Sequence, residues 1–190
     1  AAAVAPETND PIEKEYEKLL ADDDAAQSEA DKWIREANTP GAGGPGNLRA
    51  TLTARVEQRF APVRKAYEDF LRRHPKHVRA RIAYGSFLND INEEEEAVVQ
   101  WEKAKQLDPK DPAIWNNLAN HFGHRGPVGK AFQYYEKARE LQPEEPLYLQ
   151  NLATTTYLYR RDAMEFYKIT EEQVFDRALD LYGKALKLDP

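Results

Sequence analysis

The 190-residue sequence contains no cysteine. That excludes a disulfide framework, a thiolate nucleophile and any zinc or iron–sulfur site held by cysteine. Long apolar runs are also missing: the longest span only a few residues, well short of the roughly 20 that cross a bilayer, so no membrane insertion is expected. Basic charge is not in excess. Asp and Glu number 33 against 27 Lys and Arg, a net charge of −6, which argues against a nucleic-acid partner. Glycine is scarce, 9 residues against 12 scattered prolines, a distribution suited to punctuation between helices. An apolar content of 41% is enough for a chain of this length to bury a sizeable core.

The acidity is local. Residues 1–47 hold 11 acidic and 4 basic side chains, whereas the remainder holds 22 and 23. The first residues, Ala1 to Pro11, read as a disordered N-terminus rich in alanine and lacking an initiator methionine. Such a start leaves two compartments open. It fits the remnant of a cleaved signal peptide, hence a periplasmic or secreted protein, and it fits an added segment on a cytoplasmic one. Over 12–38 the residues Ile12, Tyr16, Leu19, Ala26, Ala30, Trp33 and Ala37 keep helical spacing, with Asp23 in an apolar slot. An acidic amphipathic helix is predicted there. Thr39 to Gly46 is rich in glycine and proline and makes 39–47 a linker. It lacks the GxxxxGK[ST] pattern and preceding strand of a phosphate-binding loop.

From there the sequence repeats every 34 residues. Pro75, Pro109 and Pro143 are in register, as are Tyr67, Trp101 and Tyr135, and the pairs Ala97/Ala131, Ala104/Ala138 and Leu107/Leu141. Tyr84, Leu118 and Leu152 line up, each followed by Gly85, Ala119 or Ala153. Ala178, Tyr182, Ala185, Leu188 and Pro190 repeat the pattern after a further 13 residues, an insertion near 161–173. Each unit reads as two antiparallel helices that bury their apolar faces by stacking on neighbours. Thr170 with Gln173 forms a capping-box signature that predicts a helix from about Glu171.

The run from Trp115 through Leu118, Ala119 and Phe122, then Gly126, Ala131, Tyr135, Ala138 and Pro143, resembles the tetratricopeptide repeat family. Units 78–111, 112–145 and 146–190 follow its pattern; in the first, Arg81 replaces the aromatic and Asn92 the glycine. A degenerate unit is expected at 48–77, with a first helix on Leu48, Leu52, Val56 and Phe60 and a second opening at Pro62. The resemblance implies an all-α fold, a right-handed α-solenoid of antiparallel helix pairs. It also implies a non-catalytic scaffold that binds a peptide or helix of a partner protein in a concave groove. The groove positions carried over are Arg79, Ile82, Ser86 and Asn89; Asn116, Asn117 and Asn120, with His124 at the rim; and Gln150, Asn151, Thr154 and Tyr157. Amides there can satisfy a partner's backbone, although Asn117 and Asn151 also suit a purely structural role. One subtype of the family clamps a terminal carboxylate with cations; Ile82, Leu147 and Asn151 occupy those places here, so that subtype is rejected.

The alternative function is a self-assembling module, a homo-oligomer formed through the uncapped last repeat, the insertion or the N-terminal helix. Met164, Phe166 and Tyr167, with Ile169, make the insertion more apolar than a solvent loop requires; it reads either as a lid on the array or as a second contact surface. No catalytic residue, metal or cofactor is assigned. His121 and His124 share a helix face without a third ligand nearby in sequence. His74 and His77 suit a helix end, and Glu93 to Glu96 suit a helix start.

Overall fold

The computed structural model describes residues 10–39 and 47–189; the remainder, which includes most of the linker, the first nine residues and Pro190, lies outside the described residues. Every regular element among them is an α-helix: α1 (Pro11–Ala37), α2 (Asn47–Arg73), α3 (Val78–Asp90), α4 (Glu94–Leu107), α5 (Pro112–Arg125), α6 (Val128–Leu141), α7 (Pro146–Leu158), α8 (Arg160–Tyr167) and α9 (Glu171–Leu188). The chain divides into two compact units, residues 1–87 and 88–190.

The first unit is built on α1 and α2, which run antiparallel along their length. Asp10 starts α1 by accepting the Ile12 amide at 2.9 Å, with Pro11 in the first turn, where its missing N–H costs nothing. The facing pairs keep one register: Glu15 with Arg73, Asp23 with Tyr67, Glu29 with Arg59, and Trp33 with Arg55, whose guanidinium lies 3.8 Å from the ring centre. Tyr16, Leu19, Ala26 and Ala30 of α1 are buried, as are Val63, Tyr67 and Phe70 of α2. The ring of Tyr67 stacks on Tyr84 of α3 at 5.1 Å, and Phe60 meets Phe87 edge-on at 5.7 Å.

Residues 48–77 are therefore not the degenerate helix pair that the sequence suggested. α2 is one helix of 27 residues that passes through Pro62. Proline removes one bond to the carbonyl of residue 58, but both residues face solvent, where water can take that carbonyl. The antiparallel partner of α2 is α1. Asp23, which interrupted the apolar spacing of α1, is the acceptor of the Tyr67 hydroxyl at 2.6 Å.

In the second unit α5 packs on α6, α4 on α5, and α7 on α6 and α9. Ile114, Leu118 and Ala119 of α5 and Ala131, Phe132, Tyr135 and Ala138 of α6 are buried. Asp111–Pro112 starts α5 and Glu145–Pro146 starts α7, each acid accepting the amide two residues on. The two departures from the repeat pattern have physical explanations. Arg81 donates from Nε and Nη2 to the Pro75 carbonyl at 3.0 and 2.6 Å, and Trp115, 34 residues later, donates from Nε1 to the Pro109 carbonyl at 2.8 Å. Asn92 and Gly126 both have positive φ, 64° and 72°. Asparagine is among the few residues that accept that conformation in place of glycine.

The insertion is a helix folded onto its own unit. α8 packs against α6 and α9, with Phe166 and Tyr167 each 5.4 Å from the Phe132 ring. Lys168, at φ 57°, ends α8, and Thr170 and Gln173 cap α9 reciprocally.

Candidate functional site

Second-helix tyrosines bond across to a polar side chain of the helix antiparallel to them, and this sets which first-helix groups remain presented. The Tyr135 hydroxyl donates to Asn120 Oδ1 at 2.6 Å, and the Tyr182 and Thr154 hydroxyls are 2.7 Å apart. Tyr67 with Asp23 follows the same scheme, which gives α1 the place of a first helix. Burial pushes the phenols of Tyr67 and Tyr135 above their ordinary value, and for Tyr67 the Asp23 carboxylate adds to the effect.

The expected groove residues divide accordingly. Asn116 is 4% exposed, and its carbonyl accepts from Asn151 Nδ2 at 3.0 Å, so these two amides join α5 to α7. Asn120 is half-buried and engaged by Tyr135. Asn117 is half-buried, and His124, seven residues on, is exposed. On α7, Gln150 is exposed, the Thr154 hydroxyl also donates back to the Gln150 carbonyl one turn earlier at 2.8 Å, and Tyr157 is 52% exposed. Asn89 is exposed at the end of α3. In the first unit, Arg79 is drawn to α1, bonding Glu13 at 2.8 Å with its guanidinium 4.9 Å from the Tyr16 ring centre. Ile82 is half-buried, and Ser86 donates to the Ile82 carbonyl at 3.3 Å.

Met164, Phe166 and Tyr167 pack against the core of the second unit. The Tyr167 hydroxyl donates to Glu136 at 2.9 Å, Arg139 and Arg177 bond the same carboxylate, and the Arg177 guanidinium lies 4.0 Å from the Tyr167 ring centre. Burial, reinforced by Glu136, raises the Tyr167 phenol.

The histidines are engaged locally. His77 Nδ1 accepts the Ala80 amide at 3.1 Å, capping the start of α3, while its Nε2 lies 3.3 Å from Glu13. Burial lowers the His121 imidazole, which sits 3.9 Å from Glu94, the carboxylate bonded by Arg125. Among the described residues no three His, Asp or Glu side chains gather in a way that could hold a metal ion, and no helix is long and apolar enough to cross a membrane.

Reading by repeat position left the last repeat uncapped but did not name the residues that its uncovered face presents. Phe175, Leu179, Tyr182 and Leu186 form an exposed apolar stripe on α9, beside the buried Val174, Ala178, Leu181 and Ala185. The signal was present as two apolar residues per turn where one suffices for a core.

Among solved structures the chain is similar to MamA. One MamA structure aligns with a TM-score of 0.54 at 15% identity, covering 96% of both chains. The chain of MamA from residue 41 to its end, from Desulfovibrio magneticus RS-1, aligns at 0.53 and 16%, covering 88% of this chain and 95% of that one. A further MamA structure gives 0.52 and 16%, over 88% and 92%. At these identities the likeness is one of fold: all-α and built from helical repeats. No family model matches the sequence, and no curated protein is similar to it.

Proposed function

We propose that this chain is a non-catalytic protein-interaction scaffold of the tetratricopeptide type, with repeats at 78–111, 112–145 and 146–190, that holds a peptide or helix of a partner protein along its first helices. The observation that carries the reading is the Asn116–Asn151 bond, which sets α5 and α7 side by side. Asn117 and His124 of α5 carry donors and acceptors of the kind suited to a partner backbone. Proximity to Arg125, Glu94 and the adjacent amides makes this a polar surface without strong net charge, which favours a neutral segment over a charged one. The titratable side chains that do converge, Tyr167 with Glu136 and Arg177, are committed to one another and tie α8 down.

The test is photo-cross-linking. A photoreactive residue at Asn117 or His124 should join the chain to a foreign polypeptide in its native extract, whereas one at the exposed Gln133 of α6 should not. Equal labelling from Gln133 would contradict the reading.

A further inference from the structure

The exposed stripe of α9 has a buried counterpart in the same molecule. Leu179 is 69% exposed and Tyr182 37%, yet Phe132 and Tyr135, which occupy the equivalent places 47 residues earlier in α6, are 0% and 3% exposed. On α6 that face lies beneath α7 and α8. The sequence thus repeats on α9 a surface of the kind it buries on α6, and adds Phe175 and Leu186, 37% and 66% exposed. Contiguous apolar surface of this kind marks an association site.

We propose that the stripe is the contact of a two-fold dimer, in which α9 packs antiparallel on α9 of a second copy. The spacing itself is symmetric. Phe175, Leu179, Tyr182 and Leu186 follow one another at steps of four, three and four, so a two-fold axis between Asp180 and Leu181 sets Phe175 against Leu186 of the second copy and Leu179 against its Tyr182. The charges complement one another with a small offset. Glu172 and Lys187, both exposed, lie on opposite sides of that midpoint, two residues or about 3 Å out of register, which their long side chains can span. Each Glu172 therefore meets the second copy's Lys187, once on either side of the axis. Asp180 and Lys184 stay paired within their own helix at 2.6 Å and do not compete. A foreign helix would need no such self-complementarity, which is why the second copy is the occupant chosen. The dimer does not rest on the scaffold reading, because Asn117 and His124 take no part in it.

Sedimentation equilibrium of the whole chain over a concentration series tests this. The mass should rise from 21.8 kDa to about twice that value. Leu179→Glu should leave a monomer throughout, with the helical circular dichroism unchanged because the side chain is exposed. Lys187→Glu should weaken the dimer roughly tenfold, since both copies lose a pair and gain a repulsion, and adding Glu172→Lys should return the affinity to within about threefold of the original. Mass that stays at the monomer value would overturn the proposal, including the case where the monomer instead binds a foreign apolar helix. So would a dimer indifferent to Leu179→Glu, or a double variant no tighter than the single.

Discussion

Tyr67 shows how one side chain can define a helix pair. Its ring is fully buried between Tyr84 and Phe87, and its hydroxyl reaches Asp23 on α1. Tyr67→Phe keeps the ring and leaves Asp23 without that donor, at a cost of about 1–3 kcal/mol in a denaturant titration. The pH dependence has a definite sign. Burial raises the folded-state phenol above the roughly 10 of an unfolded tyrosine, so its contribution is complete below about pH 10 and fades as pH climbs towards the folded value. Tyr67→Phe should flatten that alkaline loss; an unchanged alkaline limb would show that Tyr67 does not govern it. Asn92 makes a second residue-scale point. The sequence identified it as a departure from glycine, and its φ of 64° shows that the backbone requirement persisted while the residue changed.

Among the elements, the acidic α1 is the one whose role the structure settles. Its glutamates face basic residues of α2 and of the segment leading into α3: Glu15 bonds Arg73, with His74 3.6 Å away, Glu29 bonds Arg59, and Glu13 bonds Arg79. The hydrogen bond from Arg73 holds the Glu15 carboxyl below the usual range. Because its folded value is depressed, Glu15 stabilises the fold above the unfolded value near 4.3, and the contribution is lost as pH falls through the folded one. Melting temperatures measured from pH 7 to 3 should therefore fall less steeply for Glu15→Gln than for the original, by a modest amount because the pair is half exposed. Parallel curves would mean that the α1–α2 ion pairs do not contribute. The helical period of α1 was plain from the sequence. Its partner was not, because Pro62 looks like a helix start and nothing local shows that residues on both of its sides face α1. The capping box at Thr170 was legible for the opposite reason: every atom it needs lies within four residues.

For the whole molecule, the 34-residue register carried most of the fold. It works because each repeat solves the same local problem, as the paired Arg81–Pro75 and Trp115–Pro109 bonds show. The presented surface was less legible. Sequence position marked Asn117, and not Asn116, as suited to a structural role, yet Asn116 is the buried one and Asn117 is half-buried, since exposure depends on how the neighbouring helix lands. The same limit hid the α9 stripe: its residues look like core until it is known which helix covers them. The central claim is that first helices receive the partner while second helices hold the fold. Hydrogen exchange, compared between the free chain and its complex with the cross-linked partner, tests it most directly. Added protection should concentrate in 112–125 and 146–158. Protection centred on α4 and α6, with α5 and α7 unchanged, would contradict it.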